Sequence, residues 1–332
     1  MKKIILAAMA FAALAACSKE TTVDVAREEI AFGNAFVDNS TKADAATDPS
    51  YSTSGTKGVA LEQFNVYGAV NGVNIFNGNN VEKDGVAYGA AWTLTGAKQY
   101  WIAGADYKFV GVVDGNKTVD ETVVTKTNLD AAGLPNTIEY YTDGETDLLC
   151  DVVIVEDAAA PYGIVAFNYT HLLSKINFAV KNTTDASATN YRFVLTSAKL
   201  TNVYESAEYD VNEKEWTPAA GTMIYTLENL TINSAATQYH SQEVLLIPGS
   251  SVGVSIAAEI QATDNGTTWE KVSEVTKTFS DVVTLAEATA YNFIVELCVG
   301  NEIQFTATTM PEWENGNTDD TDEDDVNDSV VL

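Results

Sequence analysis

The sequence predicts a mainly β protein, on three observations. Past residue 20 no segment sustains the 3.6-residue apolar repeat of an amphipathic helix. Short runs rich in Val, Ile, Tyr, Phe and Thr recur instead, with apolar side chains on alternate positions. Gly, Asn and Asp punctuate these runs, and Asn71-Gly72, Asp84-Gly85, Asp114-Gly115, Asp143-Gly144 and Asn265-Gly266 are pairs of the hairpin-turn kind. Many short strands closed by such turns favour β-sandwiches over a parallel sheet.

The chain opens with Lys2-Lys3 and thirteen apolar residues, Ile4–Ala16. That run is shorter than the ~20 residues a spanning helix needs, so residues 1–16 read as a cleaved signal peptide. Leu14-Ala15-Ala16-Cys17 has the form of a bacterial lipobox. Cys17 is therefore the expected lipidation site and the first residue of the mature chain. Two or more acyl chains would anchor it stably, where one holds only marginally. Residues 17–27 form a polar, lipid-proximal tether.

About 315 residues remain, which suggests two domains on the usual length prior. The small residues and proline of 157–161 offer a hinge, giving an N-terminal β-sandwich over 28–160 and a C-terminal one over 161–316. In the first, Ile30, Phe32 and Phe36 lie on alternate positions of one strand-like run, and 63–70 alternates in the same way. In the second, 303–308 does so again. Residues 38–58 read as a long exposed loop. Residues 317–332 are an acidic tail that repels itself.

Net charge is −29, and loss of Lys2 and Lys3 with the signal makes it −31. Arg27 and Arg192 are the only arginines, so no basic patch exists to hold nucleic acid. No cofactor and no metal site is expected: two histidines and no Cys-x-x-Cys argue against structural zinc. Residues 114–121 space oxygen ligands in a way that suggests calcium, but Lys117 sits among them, which favours a solvated turn. Residues 249–253 match G-x-S-x-G, yet a strand-like run follows where a hydrolase elbow needs a helix, so no enzyme is expected. His171 and His240 bring no evident orienting carboxylate, and His171 reads as a packed side chain. Cys150 and Cys298 read as two buried thiols in separate strands, with a disulfide as the alternative. Trp92, Tyr100, Trp101 and Tyr107 are the densest aromatic group. They either fill a core or, if exposed on one sheet, make a platform for a surface glycan-binding lipoprotein.

Phe64-Asn65-Val66-Tyr67-Gly68, Trp92, Tyr100-Trp101 and 107–109 together resemble the fimbrillin family, the lipoprotein pilins of Gram-negative anaerobes. Thr146-Asp147-Leu148-Leu149 with 165–176 is similar to that family's junction into a second domain. Residues 245–249, 303–307 and Trp313 extend the resemblance over 28–314.

The resemblance implies two consecutive transthyretin-like β-sandwich domains after the lipoprotein signal. It also implies a structural or accessory subunit, stalk or anchor, of a surface fimbrium that supports adhesion. Its partners would be other fimbrial subunits, self or paralogous, and the outer membrane through the lipid. Assembly would exchange strands: a first strand carrying Ile30, Phe32 and Phe36 would leave after a cut, and a neighbour's strand would replace it. Within the loop only Lys42 and Lys57 are basic, so they are the candidate cut positions. Arg27 precedes the strand, and a cut there would release the tether without opening a groove. Val326, Val330 and Leu332 would line the apolar face of the donor strand.

Overall fold

The computed structural model describes residues 27–33, 36–37, 61, 63–84, 91–185, 190–219, 221–232 and 238–310. Cys17, Lys42, Lys57, Val326, Val330 and Leu332 lie outside them. Among the described residues every regular element is a strand, as the mainly β reading requires.

A seven-stranded sheet organises the first half. Its order is β1 (Phe36–Val37), β11 (Asn168–His171), β10 (Leu149–Val155), β5 (Tyr107–Val113), β2 (Gln63–Val70), β3 (Val73–Lys83) and β4 (Trp92–Leu94). All pairings are antiparallel except β1 with β11. The strand expected over 63–70 is β2, and Asn71 and Gly72 turn it into β3 with φ of 47° and 76°, the left-handed pair that a two-residue hairpin demands. Both faces of this sheet are buried. Phe64, Val66 and Phe109 point into an aromatic cluster, while Tyr67, Ala69, Val110 and Val112 point into a second core.

That second core is closed by a four-stranded sheet ordered β15 (Glu215–Pro218), β14 (Ser206–Asp210), β9 (Pro135–Tyr141) and β8 (Thr125–Leu129). Strands β14 and β15 come from far down the chain; β14 pairs with β9 through Ser206↔Tyr141 to Asp210↔Thr137, and β15 pairs with β14. A minor hairpin, β6 (Thr118–Val119) with β7 (Thr122–Val123), projects beside β8.

The second half is a sandwich of two sheets. One runs β18 (Gln238–Leu246), β12 (Ser174–Asn182), β21 (Ala290–Leu297), β22 (Gln304–Thr309), with β12 and β21 parallel. The other runs β16 (Thr222–Thr226), β13 (Tyr191–Tyr204), β19 (Ser251–Ala262), β20 (Glu270–Thr284), and β17 (Thr231–Ile232) also pairs with β13. Phe178, Phe193, Leu200, Val254 and Phe293, all at most 1% exposed, fill the space between. Along β13 the inward side chains change parity, from Phe193 and Leu195 to Ala198 and Leu200 and then to Val203. Each change falls at a register shift, where one extra residue turns the strand's other side inward.

The two halves meet differently from the sequence expectation. The 157–161 stretch lies within the first half, where Ala158 is buried and exchanges backbone hydrogen bonds with Gly104 and Ala105. The sheets part after His171 instead. Leu172 and Leu173, both fully buried, carry the chain across, and β12 starts at Ser174. Asp143-Gly144 is likewise no hairpin turn. It joins β9 in one sheet to β10 in another, and the Gly144 carbonyl accepts a hydrogen bond from Leu245 N at 2.8 Å. Local turn chemistry does not say which sheet the next strand joins.

Candidate functional site

The segment 28–33 lies in a groove beside the first sheet without being a regular strand. Its chemistry explains why it docks there: apolar Ile30 and Phe32 alternate with Glu29 and Ala31, so one edge seeks a core and the other tolerates water. Ile30 is 1% and Phe32 5% exposed. The Phe32 ring meets Phe76 and Phe109 edge-on at centroid separations of 5.3 and 5.8 Å, and stacks parallel to Phe167 at 6.3 Å. Aromatic pairs at these separations add to what burial alone contributes.

Two stretches of chain hold the segment's backbone. On one side Trp101 N donates to Glu28 O at 2.9 Å and Ile30 N donates to Gln99 O at 2.9 Å. On the other, Val165 N donates to Ala31 O at 2.9 Å and Gly33 N to Val165 O at 3.1 Å. A 2.6 Å ion pair joins Lys98 to Glu29, but Lys98 is well exposed and water screens it. Arg27 is exposed immediately before the docked stretch.

The energetics of this segment nearly cancel. Burying Ile30 and Phe32 contributes about 3–6 kcal/mol, and the four backbone bonds about 2–6 kcal/mol. Ordering the backbone of 28–33 costs about 6–12 kcal/mol. These gains and this cost are of similar size, so docking of the segment adds little net stability of its own. Of the three side chains expected to point inward, Ile30 and Phe32 do so. Phe36 enters β1, its backbone paired in parallel with Asn168, and its side chain lies outside the described residues.

The aromatic platform does not form. Trp101 and Tyr107 are 8% and 2% exposed and pack against each other at 4.7 Å within the groove's core. Trp92 leans on Phe64 at 5.3 Å, which leaves Tyr100 as the one well-exposed member of the group. Their alternation with polar residues suits either a core or a surface, and the segment 28–33 together with Tyr162, stacked on Trp101 at 5.3 Å, covers them.

His171 does have an orienting carboxylate: its Nδ1 stands 2.6 Å from Asp147 Oδ2. The pair sits where the chain leaves the first sheet, next to Leu172 N→Leu148 O at 3.0 Å and Trp216 Nε1→Leu172 O at 2.9 Å. Its role is to fasten that crossing. Nearby, burial works to raise the Asp143 carboxyl, but hydrogen bonds from Thr146, Glu145 and Tyr140 pull it below its usual range. Only the fold brings 140–148 against 171–174, so the sequence showed the residues without their partnership.

The G-x-S-x-G run opens directly into β19, as expected, and Ser250 Oγ donates to Ile247 O at 3.0 Å. Cys150 and Cys298 are both free thiols, and burial pushes Cys150 up to about 12. Cys298 stands just past the end of β21 and is only partly buried. Among the described residues no three His, Cys, Asp or Glu side chains are grouped to hold a metal.

Comparison with known proteins agrees with this architecture. A crystal structure of a fimbrial protein from Bacteroides vulgatus superimposes with a TM-score of 0.57 at 14% identity, over 86% of this chain and 99% of that one. A protein assigned to cell adhesion from Bacteroides uniformis aligns with a TM-score of 0.49 at 16% identity, over 78% and 95%. At such identities the first likeness speaks for a shared fold. No curated protein matches the chain. The model of the family described as fimbrillin-like matches residues 41–313, most of the sequence, and the chain belongs to that family.

Proposed function

We propose that this chain is a subunit of a cell-surface fimbrium, serves adhesion, and joins its neighbours by strand exchange. The observation that carries this reading is the docked segment 28–33, which buries Ile30 and Phe32 and is held by four backbone hydrogen bonds without forming a regular strand. Its departure would leave unpaired backbone groups at Gln99, Trp101 and Val165 beside an apolar slot, a template for another chain's strand. In this reading Lys42 or Lys57 is the place of the maturing cut. A cut at Arg27 leaves 28–33 in the groove, since Arg27 precedes every bond that holds it. The incoming strand presents Val326, Val330 and Leu332 of a neighbouring copy or a paralogue. If no cut occurs, the subunit serves as the fimbrium's anchor.

A protein beginning at residue 38 tests the reading. It should associate in solution, and a peptide of residues 28–37 added in trans should return it to the monomer. The same peptide carrying Ile30→Asp and Phe32→Asp should have no effect. A shortened protein that stays folded and monomeric at all concentrations would sink strand exchange.

Export and anchoring form the second part of the proposal: a signal peptide over 1–16, acylation at Cys17, and residence on the outer membrane facing outward. Cells fed labelled palmitate should incorporate it into the protein, and Cys17→Ser should abolish the label. Persistence of label in the variant would place the lipid elsewhere.

A further inference from the structure

A cleft of about 420 Å³ opens where β2 begins and β5 ends. We propose that it binds a neutral, hydroxyl-rich ligand, a saccharide unit. Three features of the lining lead there.

The first is unused hydrogen-bonding capacity. Among the described residues, the amides of Gln63 and Asn65 and the carboxylate of Asp114 make no side-chain hydrogen bond within the protein, and all three face the cleft. Amides offer both donors and acceptors, and a carboxylate can accept from two adjacent hydroxyls, which is the pairing a sugar ring presents.

The second feature is charge. Asp114 and Lys117 are the two charged groups of the lining, and their charges cancel. One carboxylate is too few for a divalent cation. An anion would meet Asp114 within a chain of net charge −29. A neutral polar ligand meets neither objection.

Rigidity is the third. Thr125 Oγ1 donates to the Asp114 carbonyl, Thr127 Oγ1 donates to Gly115 O at 2.6 Å, and Thr125 Oγ1 accepts from Lys117 N at 2.8 Å. Asn116 bonds at both ends of its amide, to Tyr67 OH at 3.0 Å and from Thr127 N at 3.1 Å. Asp114 itself sits at φ 59°, in the left-handed region. The backbone that carries Asp114 is thus ordered before a ligand arrives, which lowers the ordering cost of binding at this loop.

Saturation-transfer NMR on the mature full chain tests this. The probes are D-glucose, D-galactose, D-mannose, L-fucose, N-acetyl-D-glucosamine and N-acetyl-D-galactosamine, with N-acetylneuraminic acid as an acidic comparison. At least one neutral sugar should receive saturation. Asp114→Asn, chosen because asparagine tolerates the left-handed backbone, should weaken that sugar about tenfold or more. Asn65→Ala is the second variant and should also weaken it, with an unfolding midpoint near that of the parent. Silence from every neutral sugar, preference for the acidic one, or transfer unchanged in both variants would overturn the assignment.

Discussion

Gly111→Ala should destabilise the first half by about 2–3 kcal/mol, in the upper part of the range for overpacked cores. Gly111 lies in β5 at the centre of the seven-stranded sheet, between β2 and β10. A methyl group there would press into the Tyr169 hydroxyl and approach its Cζ at 2.9 Å and Phe167 Cδ1 at 3.1 Å. Neither ring can retreat, because Tyr169 packs on Phe64 and Phe167 at 5.7 and 5.5 Å. The Tyr169 hydroxyl is itself buried without a hydrogen-bond partner among the described residues. Tyr169→Phe should therefore stabilise the protein by about 1 kcal/mol, by removing a desolvated polar group. Combined with Gly111→Ala it should recover part of the loss, a coupling measurable by urea unfolding of all four proteins. If Tyr169→Phe costs more than 1 kcal/mol, or the two changes simply add, the account of this contact is wrong.

Glu287 should make stability depend on pH around neutrality. It sits in the 285–289 connection between β20 and β21, which clasps the crossing between the halves: Ala288 N donates to Leu173 O at 3.0 Å, and Ser174 Oγ donates to Ala286 O at 2.6 Å. Burial against the first half raises its carboxyl to about 7, opposed only in part by Lys214. An acid whose folded pKa exceeds its unfolded value keeps its proton longer in the folded state. Stability is then undiminished below the unfolded value near 4.5 and declines as pH rises towards 7. With its partial exposure discounted, the loss is on the order of 1–2 kcal/mol. Glu287→Gln stays neutral throughout, so it should match the parent at pH 4.5 and exceed it by that amount at pH 8. Thermal unfolding of both proteins across this range isolates the effect from the other carboxylates. A difference that is flat with pH would contradict it.

Much of the strand pattern was legible in the residues themselves. The alternation of 63–70 with Asn71-Gly72 behind it and that of 303–308 both report local sterics, which need no distant partner. The inward set Ile30 and Phe32 was legible for the same reason, although the segment makes isolated bridges to Tyr100 and Val165 rather than a ladder. The long β13 was not, because two bulges break the period that a strand reading relies on. The aromatic group around Trp101 stayed ambiguous because a packed ring and an exposed ring have the same spacing. The polar cleft escaped notice altogether: Gln63 and Asn65 look like the solvent side of a strand until the 114–117 loop is placed over them.

By itself the sequence determined the strand-forming class, the strongly acidic net charge, and which residues of 28–33 must hide from water. These follow from side-chain chemistry repeated at fixed intervals along the chain. The tertiary structure alone decided that 206–218 returns to complete the first half, that Asp147 meets His171, and that the halves part after residue 171. Each of these is a pairing between stretches far apart in the chain, selected by complementary edges and shared burial, and no local periodicity encodes which edge a strand will find.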